Sequence, residues 1–310
     1  MPIPFPRPGR APRRRLVVTA DPAAGPAARR VLAALHGEAA RRVDLDDPHA
    51  EVYRLLAAGG EQLGVSAVLA DLVRVALAVA HESAGLVDPT VGAAVVAGRV
   101  RAGRGRSGPG VVPVCGSPAA FRPRPAAGYD RVVVGPDRLC VPQGTILDLR
   151  ATTDAVVAAA AAARAAGRTR SAVLVGVGGD VAQAGSPPPG GWLVPLPDGS
   201  RFALPAGLAA STVRPSAAPA NRVVDPATGA AVVPAWHSLT VLHPDVVAAK
   251  RLALSAAVLG GRAVAFLRCE GVPFRLVGPG DAVTTSAGWP ADDAGAADVA
   301  GSRRAGALAS

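Results

Sequence analysis

The sequence predicts an α/β or α+β domain in which mixed sheets are flanked by helices. Half of its 310 residues are apolar, which is enough for a sizeable core. Segments with strand patterns alternate with segments of helical periodicity along most of the chain. Several neighbouring strand segments are joined as hairpins, which argues against a purely parallel, doubly wound sheet.

Four elements are predicted in the N-terminal half. Residues 15–20 form a strand, and residues 26–43 repeat apolar side chains at helical spacing. A second helix covers about 65–84, and 129–142 forms a hairpin with a Gly-Pro-Asp turn. The stretch 100–125 is rich in glycine, arginine and proline, which predicts a loop.

The C-terminal half begins with a buried strand, a break and an alanine-rich helix over 145–167. Strand-to-helix junctions of this kind often bind phosphate through glycines and a lysine, but this junction lacks both. A strand over 171–180 ends in a glycine pair, and 190–205 forms a hairpin. A last strand at 238–245 leads into a helix over 246–261, which ends at glycine.

The apolar periodicity is confined to the middle of the chain, so we predict one domain over residues 14–290. Residues 1–13 are rich in proline and arginine and are predicted to be a disordered basic tail. Residues 291–310 lack apolar periodicity and are predicted to be a second disordered tail. No Pro/Ser-rich linker divides the residues between the two tails.

Composition narrows the functional classes. No uninterrupted apolar run approaches the roughly 20 residues of a membrane-spanning helix, and the N-terminus lacks the apolar centre of a secretory signal, so we predict a cytoplasmic protein. Three scattered cysteines predict neither a disulfide framework nor a zinc site. The net charge of +10 comes almost entirely from arginine, Lys250 is the only lysine, and only 3% of residues are aromatic. We therefore predict no nucleic-acid binding.

Four sequence segments occur in a fixed order: GLVDPTVG at 85–92, TILDL at 145–149, LVGVGGDVAQAG at 174–185 and RVVDPATGAAV at 222–232. Together with the strand and helix that follow, they resemble the ApbE family, the FAD:protein FMN transferases, over roughly residues 15–289. The resemblance implies a single domain with a cleft for FAD and Mg²⁺. It also implies that FMN is transferred from FAD to a serine or threonine of a partner flavoprotein, with release of AMP.

The resemblance further implies which residues contact the nucleotide. The GLVDPT turn corresponds to a family turn that lines the flavin, and Asp148 corresponds to the aspartate that reads FAD. The implied FAD-binding residues are Leu86, Val87, Asp88, Asp148, Asp154, Gly179, Asp180 and Val224. We expect the acidic residues of this set to converge with Gly179 and Lys250 on one cleft, with Asp148 and Lys250 no more than about 15 Å apart.

The sequence departs from the family pattern where the chemistry should occur. Asp154 replaces the usual lysine at the start of a helix, where a carboxylate repels phosphate. The family's two side-chain ligands for Mg²⁺ correspond to Lys250 and Leu254, which cannot ligate a cation. The backbone of Ala151 is the remaining implied ligand. An ammonium at the first ligand position carries the same local charge as an aspartate with its Mg²⁺, which predicts nucleotide binding without metal.

Three functions stay open on these residues. The first is FMN transfer with Mg²⁺. The second is a catalytically degenerate protein that binds flavin or an adenine nucleotide without transferring FMN. The third is a structural partner without a ligand. Lys250, Arg150 and Arg222 are the candidates for replacing the missing positive charge.

The same residues also have ordinary structural interpretations. Asp88 precedes proline and can start a turn. Asp148 can accept hydrogen bonds from the helix that follows, and Asp154 can stabilise the positive end of that helix dipole. Lys250 can be a solvent-facing residue of its helix. The contacts of each side chain distinguish these interpretations from the functional ones.

Overall fold

The computed structural model describes residues 15–101, 123–216 and 223–293. Its helices are α1 (Gly25–Val43), α2 (Val52–Ala57), α3 (Ala67–Glu82), α4 (Gly92–Arg101), α5 (Arg150–Thr169), α6 (Val246–Leu259) and α7 (Ala263–Cys269). Its strands are β1 (Arg15–Thr19), β2 (Leu63–Gly64), β3 (Val133–Val134), β4 (Arg138–Cys140), β5 (Val173–Val177), β6 (Asp180–Ala184), β7 (Trp192–Pro195), β8 (Arg201–Leu204), β9 (Ala209–Val213), β10 (Ser238–His243), β11 (Phe274–Val277), β12 (Val283–Thr285) and β13 (Asp292–Asp293).

Seven strands form the central sheet, in the order β1-β5-β6-β9-β10-β11-β12. Each strand in it runs antiparallel to its neighbours. Strands β13, β8 and β7 form a second sheet, and β2, β4 and β3 form a third. The arrangement confirms the predicted domain of sheets flanked by helices, and its antiparallel ladders make it an α+β fold.

The two faces of the central sheet are covered by different layers. Along β5, Val173, Val175 and Val177 pack with α1, α3 and α5, whereas Leu174 packs with the β7–β8 hairpin. This alternation follows from the two-residue period of a strand. Helix α6 lies beside α5 and packs on β9 and β10. The sheet is therefore buried on both faces, with helices on one and a hairpin on the other.

Alanine allows α5 to lie close to both α1 and the sheet. Ala155, Ala158, Ala161 and Ala165 recur at helical spacing and are fully buried. Side chains this small let two backbones approach, and Ala28 of α1 belongs to the same cluster. This packing places the first turn of α5 beside the turn between β5 and β6.

Residues 145–149 are buried but do not form the predicted strand. The backbone N–H of Gly92 donates to the Ile146 carbonyl at 3.1 Å, and the N–H of Asp148 donates to the Pro89 carbonyl at 2.7 Å. Because these partners lie in a 3₁₀ turn and at the start of a helix, they cannot offer a regular ladder. An apolar run alone does not distinguish a strand from a buried extended segment.

The chain ends agree with the prediction only in part. Asp292 and Asp293 pair with Phe202 and Arg201, so the segment predicted as a C-terminal tail begins inside a strand. The rest of that tail and the predicted tail 1–13 lie outside the described residues, as does most of the predicted loop 100–125. A domain bounded at 14–290 stays a prediction.

One helical segment within the described ranges, Val246–Cys269, is long and apolar enough to cross a membrane by length and composition alone. It comprises α6, the 3₁₀ turn Gly260–Arg262 and α7. Helix α6 packs on β9 and β10, so this segment is weak evidence for a membrane span. The sequence prediction overlooked the segment because charged residues interrupt its apolar run.

Candidate functional site

The turn between β5 and β6 is built on two glycines. Gly178 adopts a left-handed conformation with φ of 61°. The backbone N–H of Thr212 donates to the Gly179 carbonyl at 2.8 Å, and a β-carbon on Gly179 would collide with the Thr212 carbonyl oxygen. Glycine is therefore required at Gly179 for the close approach to β9. This turn delivers the next residue, Asp180, into the interior.

Asp180 is a completely buried carboxylate with two partners. The Ser211 hydroxyl on β9 donates to its Oδ1 at 2.6 Å, and Nζ of Lys250 on α6 lies 3.3 Å from its Oδ2. The side chain of Lys250 is only 13% exposed. The structure thus contradicts the solvent-facing interpretation of this lysine: it is an ion-pair partner of a buried acid.

Asp154, in the first turns of α5, belongs to the same group of charges. A β-carbon on Gly178 would lie 2.8 Å from its Oδ2, so its carboxylate lies against the β5–β6 turn. Burial raises the pKa of Asp180, Lys250 and Ser211 lower it, and the negative charge of Asp154 raises it again. The group thus contains two carboxylates and one ammonium, and it is net negative when all three are charged.

The carboxylate of Asp88 is committed to a turn. Its Oδ1 accepts from the backbone N–H and the hydroxyl of Thr90, both at 2.7 Å, and its Oδ2 accepts from the N–H of Tyr129 at 3.2 Å. The Thr90 hydroxyl also accepts from the N–H of Gly128 at 3.1 Å. Asp88 therefore starts the 3₁₀ turn and ties it to the segment before β3, as its structural interpretation predicts.

Asp148 is also bonded within the protein. Nε of Arg150 donates to its Oδ1 at 2.8 Å and Nη2 of Arg150 to its Oδ2 at 3.0 Å, a two-point contact between planar groups. The backbone N–H of Arg150 donates to Oδ1 as well, at 3.2 Å. Asp148 thus stabilises the start of α5, and the guanidinium of Arg150 is neutralised locally.

The predicted site residues fall into two groups. Asp154, Gly179, Asp180 and Lys250 form one group, at the β5–β6 turn. Asp88, Asp148 and Arg150 form the other, where the Pro89 carbonyl joins the turn to the chain before α5. Helix α5 connects them, because Arg150 and Asp154 are one turn apart on it.

The other predicted contacts are apolar or backbone groups. Leu86 is half-buried, Val87 is buried, and Ala151 lies half-buried in the first turn of α5. Val224 is buried and forms an isolated bridge with Ala231. That both groups and these residues share one cleft, with Asp148 within about 15 Å of Lys250, stays a prediction.

Sequence reasoning missed two partners. Ser211 lies opposite Asp180 in the pairing of β9 with β6, but the small residues of β9 give no clear strand pattern that could have placed it there. Arg150 was considered as a free charge, although arginine two residues after aspartate at a helix start can form the local pair seen here. The third candidate charge, Arg222, lies outside the described residues.

The residues at this site do not fit a divalent cation. The Lys250 ammonium repels a cation, and the side chain of Leu254, one turn later on α6, has no ligand atom. No group of three or more His, Cys, Asp or Glu side chains suited to a metal occurs in the described part of the chain. The implied Mg²⁺ therefore has no side-chain ligand set here.

Comparison with known proteins gives one family and a set of similar folds. The model of the ApbE family matches residues 15–274. No curated protein matches the chain. The solved flavinyl transferase ApbE of Pseudomonas stutzeri, in its apo form, is 18% identical, with a TM-score of 0.68 over 90% of this chain and 97% of that one.

Two further solved structures are similar to the same extent. The flavin transferase ApbE of Vibrio cholerae is 18% identical, with a TM-score of 0.66 over 89% of this chain and 97% of that one. The ApbE protein of Thermotoga maritima is 20% identical, with a TM-score of 0.68 over 87% of this chain and 92% of that one. At such identities these likenesses show a shared fold alone.

Proposed function

This chain belongs to the ApbE family, and on that premise we propose that it is a flavin- or nucleotide-binding member that does not transfer FMN. The observation that carries the proposal is the ion pair between Lys250 and the fully buried Asp180, 3.3 Å apart. It occupies the position at which the family resemblance implies a metal ligand.

FMN transfer is attack on a phosphorus of the FAD diphosphate, and its transition state needs positive charge on the phosphate oxygens. A divalent cation would supply this charge as a Lewis acid, which an ammonium cannot do. Lys250 already neutralises Asp180, and Arg150 already neutralises Asp148. Neither of the two described candidate charges is therefore available to replace the cation.

The departures from the family pattern at Lys250 and Leu254 affect FAD binding less than they affect FMN transfer. FAD, when bound, would supply the isoalloxazine and the FMN group. Leu86 and Val87 would give apolar contact to the ring, on a turn that Asp88 shapes through its hydrogen bonds. The carboxylates of Asp88 and Asp148 are engaged within the protein, so the fit to FAD rests on apolar and backbone groups and needs no metal.

A second candidate is the family activity itself, FMN transfer from FAD to a serine or threonine of an acceptor flavoprotein with Mg²⁺. The match to the family over residues 15–274 favours it. The acceptor partner and a cytoplasmic location stay predictions under either function.

The deciding experiment is incubation with FAD, Mg²⁺ and an acceptor peptide of the family, followed by mass measurement of the peptide. The Vibrio cholerae flavin transferase is the positive control. We expect the peptide mass to stay unchanged with this protein, and addition of one FMN would establish the second candidate instead.

A matched variant tests the cause. The double variant Lys250→Asp with Leu254→Thr places two oxygen ligands on α6, so we expect its melting temperature to rise with Mg²⁺ while that of the wild type does not.

A yellow protein after purification, with a flavin absorbance band, would separate flavin binding from a purely structural role.

A further inference from the structure

The end of the central sheet opposite the candidate site carries a concentration of positive charge. Here α1 begins and α5 ends, because the N–H of Ala20 donates to the Ala172 carbonyl at 2.9 Å and the N–H of Asp21 donates to the Ser171 hydroxyl at 3.1 Å. The two helices run antiparallel, since each is joined to one of the antiparallel neighbours β1 and β5.

Five arginines are exposed at this end, and we name them the basic ridge: Arg29, Arg30, Arg164, Arg168 and Arg170. None of the five is ion-paired within the described residues. Ala33, Ala34 and Ala163 are exposed on the same helices, and their side chains are small.

The loops at this end of the sheet carry little opposing charge. Asp245, in the loop that precedes α6, is one of their acids, and its carboxylate accepts from the N–H of Val247 at the start of α6. Loops 185–191 and 205–208 reach the same end of the sheet, because Gly185 packs on Ala172 and the Gln183 side chain donates to the Pro205 carbonyl. Both loops are uncharged. Asp21 is the one acid in the turn before α1, and its carboxylate accepts from the N–H of Ala23.

Helix stability does not explain all of these arginines. Arg29 and Arg30 lie in the second turn of α1, near the positive end of its dipole, and its first turn carries no acid to offset them. Arg170 ends α5 in a left-handed conformation with φ of 51°, where glycine is strongly favoured. Three of the five positions therefore carry arginine against local preference.

We infer that the basic ridge is a docking surface for an acidic protein segment. Arginine binds carboxylates in a planar, two-point manner, which suits clustered Asp and Glu side chains. The ridge has no aromatic residue to stack on a base and no large apolar side chain to insert into a bilayer. Binding through such a surface is rapid and sensitive to salt. The inference is independent of whether FMN is transferred.

Two variants with the same loss of charge test the ridge. The ridge variant is Arg29→Gln, Arg30→Gln, Arg164→Gln and Arg168→Gln, and the control variant is Arg41→Gln, Arg138→Gln, Arg262→Gln and Arg268→Gln, which alters exposed arginines elsewhere. Glutamine is a good helix former, so both should fold, which circular dichroism checks. The probes are a fluorescent polyglutamate peptide, phosphatidylserine vesicles and duplex DNA, each titrated at low salt.

We expect the ridge variant to bind polyglutamate at least about tenfold more weakly than the wild type, and the control variant to lose much less. Equal losses in both variants would show that net charge alone drives binding, and would overturn the inference. It would also be overturned if the ridge variant selectively loses binding to vesicles or DNA while polyglutamate binding is absent or unchanged.

Discussion

Replacing Lys250 with methionine removes the charge that faces Asp180 while keeping a long unbranched side chain. The Asp180 carboxylate is completely buried, and its remaining partner is the Ser211 hydroxyl at 2.6 Å. Breaking one side of a buried ion pair costs more than the pair contributes, because a charge is left without compensation. The variant therefore measures how strongly the lysine is tied to the site.

The size of the effect follows from the proton that Asp180 would take up. Protonating a carboxyl with an ordinary pKa of 3.8 at pH 7 costs about 4 kcal/mol, at 1.36 kcal/mol per pH unit. Burial already raises the pKa of Asp180 in the wild type, so part of this cost is present before the substitution. We expect Lys250→Met to lower the free energy of unfolding by about 2–3 kcal/mol at pH 7.

The pH dependence distinguishes this cause from lost packing. When folding raises the pKa of a carboxyl, that group's contribution to the free energy of unfolding is fully present below the pKa of the unfolded state. The contribution is lost as the pH rises towards the pKa of the folded state. Without Lys250 the folded pKa of Asp180 rises further, so the loss extends to higher pH. The loss of stability of Lys250→Met relative to the wild type should therefore be small near pH 4 and largest at neutral pH.

The assay is a double-mutant cycle measured by urea unfolding near pH 4 and at pH 7. Its four proteins are the wild type, Lys250→Met, Asp180→Asn and the double variant. Asparagine keeps an acceptor for the Ser211 hydroxyl, so the double variant should recover most of the stability at pH 7. A deficit of Lys250→Met that is equal at both pH values, or that Asp180→Asn does not relieve, would refute the electrostatic explanation.

Two further predictions concern the stability of the fold, one at glycine positions and one at the carboxylate of Asp198. Gly179→Ala forces a β-carbon onto the Thr212 carbonyl oxygen and should cost about 2 kcal/mol or more, whereas Gly167→Ala, in open space on α5, should be neutral or stabilising by thermal melting. Although burial opposes it, hydrogen bonds from Ser200 and Arg275 lower the pKa of Asp198. The stabilisation that Asp198 gives the fold is present above its unfolded pKa and is lost as the pH falls. Because Asp198 is exposed and its charge is screened by solvent, Asp198→Asn should cost no more than about 1 kcal/mol near neutral pH and less in acid, as measured by urea unfolding.

Strong periodicity made much of the fold predictable from the sequence. Helices α1, α3, α5 and α6 have apolar side chains at helical spacing over three turns or more, and the β7–β8 hairpin is marked by its turn residues. Strands β6 and β9 were not predicted, because small residues such as Ala182 and Ala210 give little alternation. Their positions follow from pairing with β5 and β10 rather than from their own sequences.

The chemistry of the site was harder to predict than its location. The family resemblance implied that Lys250 and Asp180 belong to one site, but only the fold shows that the ammonium is 3.3 Å from a buried carboxylate. A lysine considered in isolation is a free positive charge, and this one is not. Asp148 is likewise not a free negative charge, because its carboxylate is paired with the guanidinium of Arg150.

Calorimetric titration of FAD into the protein, once with Mg²⁺ and once with EDTA, tests whether nucleotide binding depends on the metal. If Lys250 holds the position of the metal and nucleotide binding persists, the two titrations give the same dissociation constant. Binding that occurs only with Mg²⁺, or no binding in either buffer, would contradict metal-free nucleotide binding by this protein.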